Sequence, residues 1–254
     1  MRVDSRIPKS MTGSANPRRY SVLSAQDLPV GQPEEEGSSH AFPRCGEYDG
    51  QFIRLAPVDS ESDVQHLFEC SHGTAEKESL WTYMGYGPFG SLGVMKIWLA
   101  EKSVTTEPTF LTVHKRDVKR PVGMVSFLNI IPDMRRVELG HIWYGPEAQR
   151  TRVNTEAIYL MLCEAFDRLR YRRVEWKCDS LNARSRSAAL RLGFRFEGIF
   201  RNHMIVKERS RDTAWFSIID SEWERIKKNM ETWLYGSGNH SLGELNARSG
   251  DQDS

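Results

Sequence analysis

The sequence predicts a mixed α/β domain, and three patterns along the chain carry that prediction. Residues 109–114 and 121–130 read as two strands joined by a short charged turn, the mark of an antiparallel pair. Further on, Ile158, Leu162, Ala165, Phe166 and Leu169 recur at i, i+4, i+7, i+8 and i+11, the apolar stripe of an amphipathic helix. Val174, Trp176 and Cys178 then alternate with Arg173, Glu175 and Lys177, the period of a strand with one buried face. Strands first paired by hairpins and then linked through helices imply one mixed sheet flanked by helices.

The elements follow in order along the 254 residues. Residues 1–46 mix Pro, Ser and Gly with a PEEEG run and no sustained periodicity, so they read as a disordered extension. Residues 47–234 make up the folded domain, and 235–254 form a polar tail that also reads as disordered. Within the domain, 52–55 is a short strand and 58–70 a helix. An aromatic segment follows in which Trp81, Tyr83, Tyr86 and Phe89 are interleaved with Gly85, Gly87 and Gly90, which suggests a mobile loop. After the paired strands comes another strand at 136–143, then the long helix at 154–171. Asn182 sits where an N-cap belongs and Gly193 where a helix stops in the left-handed conformation, framing a helix over 183–192. Strands at 196–206 and 213–219 flank a KERSRD turn, and Trp223, Ile226, Met230, Trp233 and Leu234 mark a last helix.

Composition narrows the partners. The net charge is +1, yet residues 147–211 carry fifteen Lys or Arg against eight Asp or Glu, a local excess suited to a phosphate-bearing nucleotide. RNA binding is disfavoured, because no RNP-like aromatic motif, zinc-finger spacing or lysine-rich tail accompanies the charge. Cys45, Cys70, Cys163 and Cys178 form no CxxC pair, which argues against a zinc site or disulfide framework and for a reducing compartment. The start lacks the apolar core of a signal peptide, and no run is long enough to span a membrane. Arg2, Arg6, Arg18 and Arg19 hint at a mitochondrial presequence, Asp4 and early prolines weaken the hint, and the cytoplasm is the default.

The start of the long helix is a candidate phosphate site. Gln149, Arg150, Thr151 and Arg152 precede it, placing unpaired backbone N–H groups, the positive end of the helix dipole and two guanidinium groups together.

Six blocks resemble the GNAT superfamily of acetyl-CoA-dependent N-acetyltransferases, and most closely its RimJ/RimL branch. They are LWTYMGYGPF at 80–89, VELGHIWYGPEAQRT at 137–151, NTEA at 154–157, VEWKCDSLNARS at 174–185, RLGF at 191–194 and RDTAWFS at 211–217. The resemblance implies a GNAT-type sheet that splays at its centre with acetyl-CoA in the gap. It implies transfer of the acetyl group to a primary amine, a small molecule or a protein N-terminus, by direct attack and without a metal. It places the cofactor against Ile142, Trp143 and Tyr144, whose backbone supplies the oxyanion donor, and against Gln149, Arg150, Thr151, Arg152, Val153, Asn154 and Thr155. Asn182 and Ser185 are implied contacts of the pantetheine arm, and Trp81, Tyr83 and Tyr86 are taken to line the acceptor pocket. The chain departs from the family pattern at two points. Arg152 and Asn154 occupy positions that are usually small, and Ala189 stands where a tyrosine acid is common.

Glu138 and His141 are the candidate bases. They have opposite parity on their strand, so in a regular strand only one can face the substrate. Glu138 could instead pair with Arg135 or Arg136, and His141 could be a packed core histidine. Cys178 lacks the surroundings of an activated thiol. A homodimer is left open, as is a CoA-binding regulatory protein of the same fold without turnover.

Overall fold

The computed structural model describes residues 22–23, 28–31, 33, 41–237 and 240–248. Two compact units divide the chain, Met1–Gly37 and Ser38–Ser254. In the first, β1 (Val22–Leu23) pairs antiparallel with β2 (Pro29–Val30). Most of the N-terminal extension expected over 1–46 lies outside the described residues.

The second unit is built on an eight-stranded sheet. Its spatial order is β3 (Tyr48–Asp49), β4 (Ile53–Pro57), β5 (Thr109–Lys115), β6 (Arg120–Ile131), β7 (Arg136–Tyr144), β8 (Arg173–Asp179), β10 (Arg209–Ile219) and β9 (Arg195–Val206). Every neighbouring pair is antiparallel except β7 and β8. A parallel pair needs a crossover, and the helix α4 (Arg152–Leu162) supplies it.

Alternation along the strands creates two cores on opposite faces. On one, Val137, Leu139, Val174, Trp176, Ala214 and Phe216 pack with Ile158, Met161 and Leu162 of α4. Ala189 of α5 (Ala183–Arg191) and Trp223, Ile226 and Met230 of α6 (Asp220–Tyr235) belong to the same cluster. On the other face, Met124 and Trp143 meet Val64 and Leu67 of α1 (Val64–Ser71), which the short α2 (Ala75–Glu78) follows, and Met95 and Leu99 of α3 (Leu92–Ser103).

Several features depart from the sequence expectation, among them the first helix, which spans Val64–Ser71 rather than 58–70. The helix α3 was not foreseen, although Ser91 caps it by accepting from the Val94 amide at 3.3 Å. The helix α4 begins at Arg152 rather than Asn154, and its continuation Cys163–Arg168 is π-helical. The tail read as disordered carries α7 (Leu242–Arg248), whose Leu242 is buried in the main core. Asn246 of that helix donates to the Arg191 carbonyl at 2.9 Å. Residues 41–44 are likewise tied down, since Tyr171 donates to the Ala41 carbonyl and Arg44 pairs with the buried Glu164 at 3.2 Å.

One glycine sets the approach of β6 to β7. Gly123 lies opposite Tyr144, and a Cβ there would sit 2.2 Å from the Trp143 carbonyl oxygen. Backbone cannot yield as a side chain does. Gly123→Ala is expected to cost about 1–3 kcal/mol, read as a lower urea midpoint at unchanged slope; an unshifted midpoint would show that the two strands part there without strain.

Candidate active site

The two parallel strands separate in mid-course. β7 and β8 pair only from Arg136↔Arg173 to Leu139↔Trp176, after which β7 runs on to Tyr144 beside β6 alone. The cause is visible in the β6 register, which jumps from Ser126↔Gly140 to Met124↔Trp143, so β7 holds an extra residue. His141, inside that bulge, has φ 51°. A bulge bends its strand and sharpens the local twist, and here it turns the end of β7 away from β8. The backbone of Ile142, Trp143 and Tyr144 therefore borders a gap with no β8 partner. The Trp143 and Tyr144 side chains are buried, one in each core.

At the start of α4 the groups foreseen as a cradle divide into two sets. Thr151 is the N-cap: its Oγ1 accepts from the Val153 amide at 3.2 Å and donates to the Ala148 carbonyl at 2.7 Å. Gln149 donates from Nε2 to the Tyr144 carbonyl at 3.0 Å, joining the cap to the end of β7. Arg150 is exposed, with φ 60°. Asn154 Oδ1 is buried without a hydrogen-bond partner, and so is the Tyr144 hydroxyl. Three expected contacts face elsewhere. Arg152 lies over the Phe52 ring at 4.8 Å, Val153 is in the core, and Thr155 is buried, accepting from Arg191 at 3.0 Å. No acidic residue occupies the first turn of α4, so its dipole and the N-terminal N–H groups other than that of Val153 are available to an anion.

Asn182 caps α5 as the sequence predicts, accepting from the Ser185 amide at 3.1 Å. Ser185 Oγ accepts from the Trp176 indole at 3.0 Å, which fixes that ring at the last paired position of β8. The nearby Cys178 thiol is pushed up by burial, so it stays protonated.

Glu138 and His141 face the same side of the sheet, because the bulge restores the parity that their spacing would deny. Glu138 is 6% exposed. Its Oε2 takes Asn129 Nδ2 at 2.6 Å and Lys177 Nζ at 2.8 Å, while Oε1 lies beside Gly140. The ion pair is thus made with Lys177, while Arg136 pairs with Glu175. Lys177 also reaches Glu175 at 3.1 Å and sits 3.8 Å above the Trp215 ring. His141 packs against Phe110 and Tyr86, with ring centroids 4.7 and 5.6 Å away. Burial, helped by the charge of Lys102, pulls its imidazole down to about 4. It is neutral near pH 7 and weakly basic.

The aromatic segment is pinned rather than loose. Trp81 is fully buried and its indole donates to the Ser71 carbonyl at 3.1 Å, so it is core and lines no pocket. The Phe89 amide donates to His72 Nε2 at 2.9 Å, and Tyr83 donates to the Leu181 carbonyl at 3.2 Å. Lys207, at the tip of the β9–β10 hairpin, donates to the carbonyls of Trp81 and Gly87 at 2.7 and 2.5 Å. Tyr86 remains at the site, its hydroxyl buried without a partner and its ring beside His141. The sequence reading missed Asn129, Lys177, Lys207 and Trp215 as members of this region.

Residues 53–195 match the family model described as the acetyltransferase (GNAT) domain. The chain belongs to that family. Among solved structures it is similar to a GCN5-related N-acetyltransferase from Brucella melitensis, with 35% identity and a TM-score of 0.79 over 84% of this chain and 99% of that one. Among curated proteins it resembles the Bacillus subtilis (strain 168) protein named "Putative ribosomal N-acetyltransferase YdaF", 30% identical over 105 residues. That match spans 41% of this chain and 57% of the relative's own length. The fold also matches the acetyltransferase MccE, solved in complex with acetyl-CoA and AMP, at 21% identity and a TM-score of 0.60 over 67% of this chain and 93% of that one. The splayed mixed sheet and the RimJ/RimL-like character agree with these likenesses. Among the described residues no helix is long and apolar enough to cross a membrane, and no cluster could hold a metal.

The depressed His141 links stability to pH. An unfolded histidine titrates near 6.5 and the folded one near 4, so the contribution of the neutral ring is complete above 6.5 and is lost as pH falls towards 4. His141→Asn, which tolerates positive φ, should show a shallower decline over that window in urea-unfolding curves. An identical slope would mean that His141 is not desolvated.

Proposed function

We propose that this protein transfers the acetyl group of acetyl-CoA to a primary amine, a protein N-terminus or a small molecule, by direct attack. One observation carries the reading: β7 parts from β8 at a bulge that brings Glu138 and the edge of the gap to the same place. The fold match to MccE, a protein solved with acetyl-CoA, supports acetyl-CoA as the donor.

In this reading the N-terminal N–H groups of α4 hold the pyrophosphate. The partnerless Asn154 Oδ1 and Tyr144 hydroxyl are polar groups that a ligand or its water would satisfy. The free β7 edge at Ile142, Trp143 and Tyr144 receives the pantetheine amides and supplies the N–H that steadies the carbonyl oxygen as charge grows on it. The amine nitrogen bonds to the thioester carbon, the C–S bond breaks, and the proton lost by nitrogen passes through water to Glu138 Oε1. Lys177 and Asn129 hold the other carboxylate oxygen and fix its direction. No tyrosine stands at Ala189, so the departing thiolate takes its proton from water. His141 shapes the aromatic wall and does not serve as the base.

Two experiments test the reading. Calorimetry should show micromolar acetyl-CoA binding to the wild type and none to folded Asn154→Trp, which blocks the start of α4. Glu138→Gln should lower kcat/KM by about 10²–10⁴-fold, and an unchanged kcat/KM would rule Glu138 out as the base. Binding without turnover towards any amine would favour a CoA-binding protein without catalysis.

A further inference from the structure

A second polar cluster lies two strands from Glu138 on the same face of the sheet. Thr213, on β10, is fully buried, and its Oγ1 accepts from Arg211 Nε at 3.2 Å and contacts His203 Nδ1 at 2.9 Å. A threonine oxygen has two lone pairs, so either tautomer of His203 satisfies this contact, and the imidazole is otherwise exposed. Neither Arg211 nor His203 has a carboxylate partner among the described residues. Asp212, the neighbouring acid, accepts from the Asn202 amide at 2.6 Å. The Trp215 indole nitrogen is buried beside them without a partner, its ring 6.0 Å from His203 and 4.7 Å from Phe200. Phe200, Arg201, Asn202 and His203 line an open cleft of about 810 Å³. A guanidinium, an imidazole and an indole N–H thus lie close together, and among the described residues no carboxylate pairs with them.

The distance to the base defines what could occupy both places. Thr213 pairs with Asp179 and Glu138 with Glu175, four residues back along β8. That is about 13 Å along the strand and about 10 Å across two strands, part of which the long side chains span. A free amino acid is too short. An extended peptide of three or four residues covers roughly 10–14 Å. Building on the proposed acetyl transfer, we infer that the acceptor is an extended peptide N-terminus with an acidic side chain at its third or fourth residue, held by Arg211, His203 and the Trp215 N–H.

The test is calorimetry in the presence of CoA with two probes, the amidated peptides Ala-Ala-Asp-Asp and Ala-Ala-Asn-Asn, followed by mass spectrometry of each peptide with acetyl-CoA. The acidic peptide should bind about ten-fold tighter or more. Arg211→Gln should reduce that preference to within about two-fold, and Arg225→Gln, on α6, should keep it. Equal affinity for the two peptides, no binding of either, or a preference that survives Arg211→Gln would overturn the inference. Charge-dependent binding with no acetylated product would support the anion site and reject the transfer reading, so the two failures are distinct.

Discussion

The left-handed backbone at His141 lets β7 do two things that a regular strand cannot combine. A regular strand would send Glu138 and His141 to opposite faces and would keep its ladder with β8 to the end. With one extra residue, both side chains reach the same face and the ladder stops after Leu139↔Trp176. A non-glycine residue at positive φ costs about 1 kcal/mol or more. The cost is tolerated because the bulge is locked from both sides. Gly123 opposite allows β6 to press against the Trp143 carbonyl, and Phe110 and Tyr86 enclose the imidazole. The depressed His141 basicity is a by-product of that enclosure.

Beneath the gap, Glu138, Glu175 and Glu197 face Lys177, Arg173 and Arg136, three carboxylates against three cations. Burying charge is costly unless it is balanced and hydrogen-bonded, and losing one partner of a buried pair typically costs about 3–5 kcal/mol. The network engages every carboxylate oxygen but one. Oε2 of Glu138 is held twice, and Oε1 is left beside Gly140 at the point where the strands separate. A carboxylate fixed in direction yet open on one oxygen suits proton transfer better than one with both oxygens engaged. The same logic explains why Lys177 stacks on Trp215: the ring covers the ammonium without competing for the carboxylates.

Much of this was legible because its causes are local. The stripe from Ile158 to Leu169, the alternation from Arg173 to Cys178 and the Asn182 cap depend on neighbours in sequence, and each lies where its spacing put it. What escaped depends on register or on distant partners. Lys177 and Glu138 meet only because two parallel strands align Glu138 with Glu175, and no spacing within either strand specifies that alignment. The glycines among the aromatics read as mobility, whereas Gly87, at φ 65°, leaves room for Trp81, which would lie 2.6 Å from a Cβ there. The helix α3 is a different case. Ser91, Leu92, Met95 and Leu99 have the cap and spacing of a helix, and the glycines before and within it disguised them.

The residues that replace small ones at the start of α4 show how a departure from a family pattern can be absorbed. Glycine at a phosphate-binding turn serves close backbone approach, and a long side chain aimed inward would defeat it. Arg152 is aimed outward, over Phe52. Phe52 is itself held by a carboxylate inside the helix: Glu156, fully buried, accepts the amides of Gln51, Phe52 and Ile53 at 2.7, 2.7 and 2.8 Å, and the Tyr235 hydroxyl at 2.9 Å. Gly50 permits this, since a Cβ there would lie 2.5 Å from that carboxylate. Glu156 thus fixes Phe52, and Phe52 gives Arg152 a surface on which to lie away from the helix end. Apart from the Val153 amide, which Thr151 caps, the first turn is not covered by the Arg152 side chain, so the guanidinium adds positive charge near the proposed phosphate site without filling it.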